Sequence, residues 1–130
     1  MIAIDTNILV RYFTQDDPGE ARLATRLIED RLTRVDPGFV STIVISELIW
    51  VLDRAYKLKR PEIDVIVAGL LNAEEIVVDE AAIVRRALRG STGGLSDALI
   101  HAIGQARGCT ATVTFDRAFA RHDGVDLLAA

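Results

Sequence analysis

Asp5, Glu47, Asp97 and Asp116 are carboxylates far apart in the chain, yet each falls at the kind of junction that faces a ligand site. Asp5 closes the apolar run Ile2-Ala3-Ile4 and is followed by Thr6 and Asn7, then by Ile8-Leu9-Val10. An acid there sits at a strand's carboxyl end. In open α/β sheets ligands bind at that edge, because the chain turns into helices whose first N–H groups are unpaired. Asp, Thr and Asn are equally ordinary helix caps, so one such acid carries little, and the recurrence of the pattern carries more.

Glu47 lies in Ile43-Val44-Ile45-Ser46-Glu47-Leu48-Ile49-Trp50-Val51-Leu52, a helix apolar nearly all round and expected to be buried. A buried carboxylate needs a partner, since an unpaired charge costs several kcal/mol or is neutralised. Arg54, two turns on, is one partner; a divalent metal is the other. Asp97, in Leu95-Ser96-Asp97-Ala98-Leu99-Ile100, opens a helix after a glycine-rich turn, where an acid also compensates the helix dipole. His101 lies one turn further on the same face and ranks first as a surface group or an outer-shell histidine. Asp116 follows Thr114-Phe115 and is also placed to cap a short helix from Arg117 to Arg121. Together the acids supply hard oxygen ligands and no soft-ligand set, which points to Mg²⁺ or Mn²⁺ rather than zinc. Such ions polarise a phosphoryl oxygen, activate water and stabilise a leaving oxygen, so phosphodiester hydrolysis fits this equipment.

The elements that must position these acids alternate. A strand from Ile2 to Asp5 leads into a helix from Thr6 to Phe13. Asp17-Pro18-Gly19-Glu20 starts a second helix, with an acid cap, Pro in the first turn and Glu three residues after the cap, running to about Thr33. Phe39-Val40-Ser41 reads as a strand, and Thr42 as the cap of a helix through about Lys57. Pro61 opens a helix to about Asn72, Glu75 to Val78 is a strand, and Glu80 to Leu88 a helix. Gly90 to Gly94 is a flexible turn; Leu95 to Arg107 is helical and stopped by Gly108. Thr110 to Thr114 is a strand delivering Asp116, and Val125 to Leu128 a final edge strand. Strands alternating with crossover-length helices imply an α/β fold, a three-layer α/β/α sandwich with a mainly parallel sheet, in one domain over residues 1–130.

The composition agrees with that reading. Of 130 residues 50% are hydrophobic and 26% charged, a globular balance. Asp5 interrupts the opening apolar run before a signal-peptide core can form, and no apolar stretch is long enough to span a bilayer, so a cytoplasmic protein without membrane contact is expected. Cys109 has no partner for a disulfide and is expected to be a packed thiol at the entry to a strand. A net charge of −4 argues against a nonspecific nucleic-acid binder, although acids gathered around a cation are locally neutralised. Basic clusters at Arg22, Arg26, Arg31 and Arg34, at Lys57, Lys59 and Arg60, and at Arg85, Arg86 and Arg89 read first as solvated faces. Some of Arg85, Arg86, Arg89, Arg117 and Arg121 are candidates for phosphate contacts. No aromatic-rich stacking platform stands out in the sequence.

Over its whole length the chain resembles the PIN-domain ribonucleases, and in size it is similar to their VapC-like toxin branch. The resemblance is carried by Ile4-Asp5-Thr6-Asn7, Ser46-Glu47-Leu48, Ser96-Asp97-Ala98-Leu99-Ile100 and Thr114-Phe115-Asp116, in that order. It implies an Mg²⁺-dependent endoribonuclease, with Mn²⁺ substituting, that leaves a 5′-phosphate and a 3′-hydroxyl. Asp5 and Asp97 would bind the metal directly and Asp116 would complete the site. Glu47 would ligate a second ion or orient the attacking water. Thr6, Asn7 and Thr114 would hold the carboxylates in place. The resemblance further implies a homodimer, an RNA substrate and a cognate antitoxin protein whose tail covers the acids. Many relatives carry another acid three residues before the position of Asp97, where this chain has Gly94.

Two other readings compete. A phosphoryl-transfer enzyme with an aspartate nucleophile also places an Asp after its first strand, but it wants a second acid two residues later, where Asn7 stands, and a lysine near the phosphate. A catalytically silent module that binds a metal or a protein uses the same fold. The retained set of acids favours the enzyme.

Overall fold

Asp5 lies two residues beyond the first strand and caps the first helix. The computed structural model describes residues 1–90 and 93–129, so residues 91 and 92 of the expected glycine-rich turn lie outside the described residues. The chain forms two compact units, Met1–Ala81 and Ala82–Ala130.

In the first unit three short strands, β1 (Ile2–Ala3), β2 (Gly38–Val40) and β3 (Ile76–Val78), pair in parallel in the order β1-β2-β3. The register sets Ile2 opposite Gly38 and Val40 opposite Val78. Parallel neighbours need crossovers. Helices α1 (Thr6–Thr14) and α2 (Pro18–Thr25) make the first, and α3 (Thr42–Arg54) and α4 (Arg60–Asn72) the second. Ladder bonds run past the strand ends, from Ile4 N–H to the Phe39 carbonyl at 2.9 Å and from Asp79 N–H to the Val40 carbonyl at 2.9 Å. Burial alternates along these strands: Ile4, Val40, Ile76 and Val78 on one face are buried, whereas Ala3 and Val77 on the other are exposed.

Helix α2 starts as its sequence dictates: the Asp17 carboxylate accepts from Glu20 N–H at 3.1 Å, with Pro18 in the first position. It runs on through a π-helical stretch, Arg26–Arg31, closed by Leu32 N–H donating to the Leu27 carbonyl at 2.9 Å. Arg11 ties α1 to α2 through Glu20 at 2.7 Å and Asp16 at 3.1 Å. Tyr56 adds its hydroxyl to Asp16 at 2.6 Å.

The cap of α3 is Ser41, whose hydroxyl accepts from Val44 N–H at 3.2 Å, and not Thr42 as the sequence had it. Thr42 is the first helical residue and donates instead to Asp79 at 3.3 Å. Nor is α3 buried all round. Ile45, Leu48, Ile49 and Leu52 form its core face, whereas Ile43, Glu47, Trp50 and Arg54 are exposed. Hydrophobicity alone misjudged this helix, because Ile43 and Trp50 are apolar without being core residues.

The second unit holds α5 (Ala81–Arg89, whose first residue closes the first unit), α6 (Leu95–Ala106), β4 (Thr112–Thr114) and β5 (Val125–Leu127). β4 and β5 pair in parallel, Thr112 opposite Val125 and Thr114 opposite Leu127. A 3₁₀ turn, Phe119–Arg121, lies between them. Gly108 ends the α6 connection in the left-handed region, at φ 85°. Cys109 follows in the loop before β4 and is exposed, contrary to the packed thiol expected from its flanks. Strand pairing begins only at Thr112, so Cys109 never enters the strand that would have covered it. Every strand pair among the described residues is parallel, as the α/β reading required. Among the described residues no helix is long and apolar enough to cross a membrane.

Candidate active site

In the first unit the acids stand at the carboxyl edge of the sheet. Asp5, two residues beyond β1, has extended backbone and caps α1, its Oδ1 accepting from Thr6 N–H at 2.8 Å. Capping and exposure coexist here, for the residue remains solvent-accessible. Thr6 is the buried polar residue of this unit, and its hydroxyl donates to Glu47 Oε1 at 3.2 Å. One threonine therefore links Asp5 through its backbone and Glu47 through its side chain. Glu47 sits on the exposed face of α3, so the argument from a buried charge does not hold for it. Arg54 is not its partner: the guanidinium lies over the Trp50 ring, 5.9 Å from the centroid, and pairs with Asp53 at 3.7 Å. Asn7 hydrogen-bonds neither acid and lines a groove with Ile8, Leu23 and Leu27.

Sequence reasoning passed over Asp79. It follows β3 as Asp5 follows β1, at the same edge, and accepts from the Thr42 hydroxyl. The pattern Val77-Val78-Asp79 repeats Ala3-Ile4-Asp5 and was a usable signal.

In the second unit Asp97 occupies the first turn of α6, and Gly94 caps that helix with no side-chain bond. A helix dipole would draw the carboxyl pKa down. Here the carboxyl is instead held above its ordinary range, chiefly by burial and then by the charge of Asp116, with His122 partly offsetting them. His122 is the second residue that sequence reasoning missed. Its imidazole is fixed by Nδ1 at 3.0 Å from the Phe119 carbonyl and by an edge contact with the Phe119 ring. It also lies so close to Gly93, which is at φ 74°, that a Cβ there would come within 3.3 Å of its Cε1.

Asp116 caps the turn after β4, its Oδ1 accepting from Ala118 N–H at 2.9 Å and Phe119 N–H at 3.2 Å. Thr114 fixes that turn, its hydroxyl accepting from Asp116 N–H at 3.0 Å. His101 is engaged elsewhere, with Nδ1 at 2.7 Å from the Thr112 hydroxyl and its ring against Gly124. Among the described residues no three His, Cys, Asp or Glu side chains are gathered into a ready metal cluster. The donor chemistry nevertheless suits a hard divalent cation. The charge of Asp116 adds to the cost of ionising Asp97, and a bound cation would remove that repulsion.

Residues 2–125 match the PIN domain, a span that takes in every one of these acids. The chain belongs to the PIN-domain family. No curated relative matches it. Membership brings a nuclease or metal-binding module and agrees with an α/β fold of mainly parallel strands between helices. The order of motifs Asp5-Thr6-Asn7, Glu47, Asp97 and Thr114-Phe115-Asp116 falls wholly within the matched PIN domain.

Proposed function

We propose that this PIN domain is a metal-dependent endoribonuclease that hydrolyses RNA to 5′-phosphate and 3′-hydroxyl ends. The observation that carries the reading is Asp97, an acid kept ionisable beside Asp116 in a place where burial disfavours its charge. A module that needed only shape has no reason to retain it. Asp97 and Asp116 are the carboxylates assigned to hold Mg²⁺ or Mn²⁺, and Asp5 is assigned with them on the family pattern. When bound, the ion supplies Lewis acidity toward a phosphoryl oxygen and lowers the pKa of water.

The chain's own residues do the rest. Thr6 holds Glu47 by one carboxylate oxygen, which leaves Oε2 to accept a hydrogen bond from the attacking water and so orient it. Water adds to phosphorus, the P–O3′ bond breaks, the 3′-oxygen takes up a proton and the phosphate stays on the 5′ side. Thr114 and the backbone bonds of Asp116 keep that carboxylate from turning away.

The order of the motifs resembles that of the VapC-like toxins. On that basis we assign it to a toxin–antitoxin pair as a homodimer whose cognate antitoxin presents a basic side chain to the acids.

The test is cleavage of a mixed RNA pool by the purified protein in Mg²⁺ or Mn²⁺, with EDTA and Asp97→Asn as controls. Cuts that need both the ion and Asp97, with 5′-phosphate ends, are expected. Activity undiminished in EDTA, or in Asp97→Asn, sinks the assignment. Metal binding without any cleavage favours a catalytically silent module.

A further inference from the structure

The chain has seven aromatic side chains beyond histidine, four Phe, two Tyr and one Trp. Most are covered to some degree, but Trp50 is 58% exposed and Phe115 79% exposed. Each of these two stands beside an acid of the proposed site: Phe115 directly precedes Asp116, and Trp50 is three residues after Glu47 on α3. At about 1.5 Å rise and 100° per residue, Glu47, Trp50 and Arg54 fall within a narrow arc of one helix face, and Trp50 lies only about 4.5 Å along the axis from Glu47. All three are exposed.

The indole is also held. Arg54 lies over its ring, 5.9 Å from the centroid, so one face of the indole carries a guanidinium. Beyond Arg54 the basic residues Lys57 and Lys59 follow in the connection to α4, where they line a polar recess with Asp53 and Arg60. A flat π surface backed by a cation, one turn from a catalytic acid and continued by positive charge, is the equipment that binds single-stranded nucleic acid: bases stack on the ring and phosphates follow the cations. The other exposed apolar residue on this arc, Ile43, lies on the far side of Glu47 from the cations.

Building on the nuclease reading, we infer that Trp50 is the stacking platform for an unpaired RNA base beside Glu47, with Arg54 meeting the neighbouring backbone. Trp50 is then a specificity-determining residue that selects unpaired RNA, and it takes no part in the bond-breaking step.

Because Trp50 is the only tryptophan, its emission reports on its own environment. The experiment titrates a fluorescein-labelled single-stranded RNA dodecamer of mixed sequence into the full chain carrying Asp97→Asn, following anisotropy and indole emission together. Saturable quenching that tracks the anisotropy is expected. In the same background Trp50→Ala should weaken binding about tenfold or more, while Trp50→Phe keeps most of the affinity and Arg54→Ala lowers the salt slope by about 1. A matched duplex should bind without quenching.

RNA binding with unchanged emission, and with equal affinity for Trp50→Ala, overturns the inference and leaves the nuclease reading intact. A change of oligomeric state in Trp50→Ala by sedimentation, without loss of RNA affinity, overturns it in favour of a protein interface. Failure of the parent chain both to bind and to cleave RNA removes the two readings together.

Discussion

Asp97 is the residue at which the proposed function and stability would pull in opposite directions. Burial first and the charge of Asp116 second hold its carboxyl above the ordinary range. The native state therefore holds this proton more tightly than the unfolded chain does. Stability falls as pH rises from the unfolded carboxylate pKa through the native one, and the full deficit persists above it. Asp97→Asn keeps the shape and removes that charge. In metal-free buffer the variant should melt higher than the parent at pH 7, with the gain shrinking to nothing below the ordinary carboxylate range, while cleavage is lost. Thermal melts of both proteins across that range check the point, and an Asn variant that melts lower at pH 7 would refute the charge argument. The place of Asp97 in the first turn of a helix was readable from the glycines before it. Its raised pKa was not, since it depends on a packing environment and on an acid far along the sequence. Glu47 shows the converse: its importance was argued from burial, and the structure exposes it, held by Thr6 instead of by a charge.

Among the elements, the helices were largely legible and the strands only partly so. Asp17-Pro18 and Gly108 are signals with a steric or hydrogen-bonding mechanism, and α2 and α6 start or stop where these residues place them. Strands of two or three residues offer too little alternation to fix their ends, which is why β1 was expected to reach Asp5 and stops at Ala3. What holds β2 in the middle of the three-stranded sheet is equally invisible in sequence. Gly38 is buried there, and a Cβ on it would come within 2.8 Å of both Ile4 Cγ1 and Leu32 Cδ1. Those atoms belong to two buried side chains, Ile4 after β1 and Leu32 after the π-helical stretch, so they have little room to yield. Gly38→Ala should therefore destabilise the protein by about 1–3 kcal/mol, as overpacking of a filled core does. Denaturant unfolding measures it: the midpoint should fall with an unchanged slope, and an unchanged midpoint would mean that Ile4 and Leu32 can move aside.

At the scale of the whole molecule, the net charge of −4 seemed to oppose an RNA substrate. A global count does not decide the matter, because charge acts locally. Asp5, Glu47 and Asp116 are exposed carboxylates whose charge a cation would locally reverse, and Arg86 and Arg117 are exposed as well. Family membership over residues 2–125 was legible from motif order, because order survives where local burial cannot be inferred. If the acids bind Mg²⁺ in the folded chain only, the ion must stabilise the protein by mass action, by about 2.7 kcal/mol at a free concentration a hundred times its Kd. Melting temperature should therefore climb with the logarithm of Mg²⁺ above Kd, and in Asp97→Asn the climb should vanish or move to much higher concentration. Ca²⁺ serves as the control, since an ion that is bound but too large for tight octahedral geometry should stabilise without supporting cleavage. If the parent and Asp97→Asn respond identically to Mg²⁺, the ion acts only on general surface charge and Asp97 is not among its ligands.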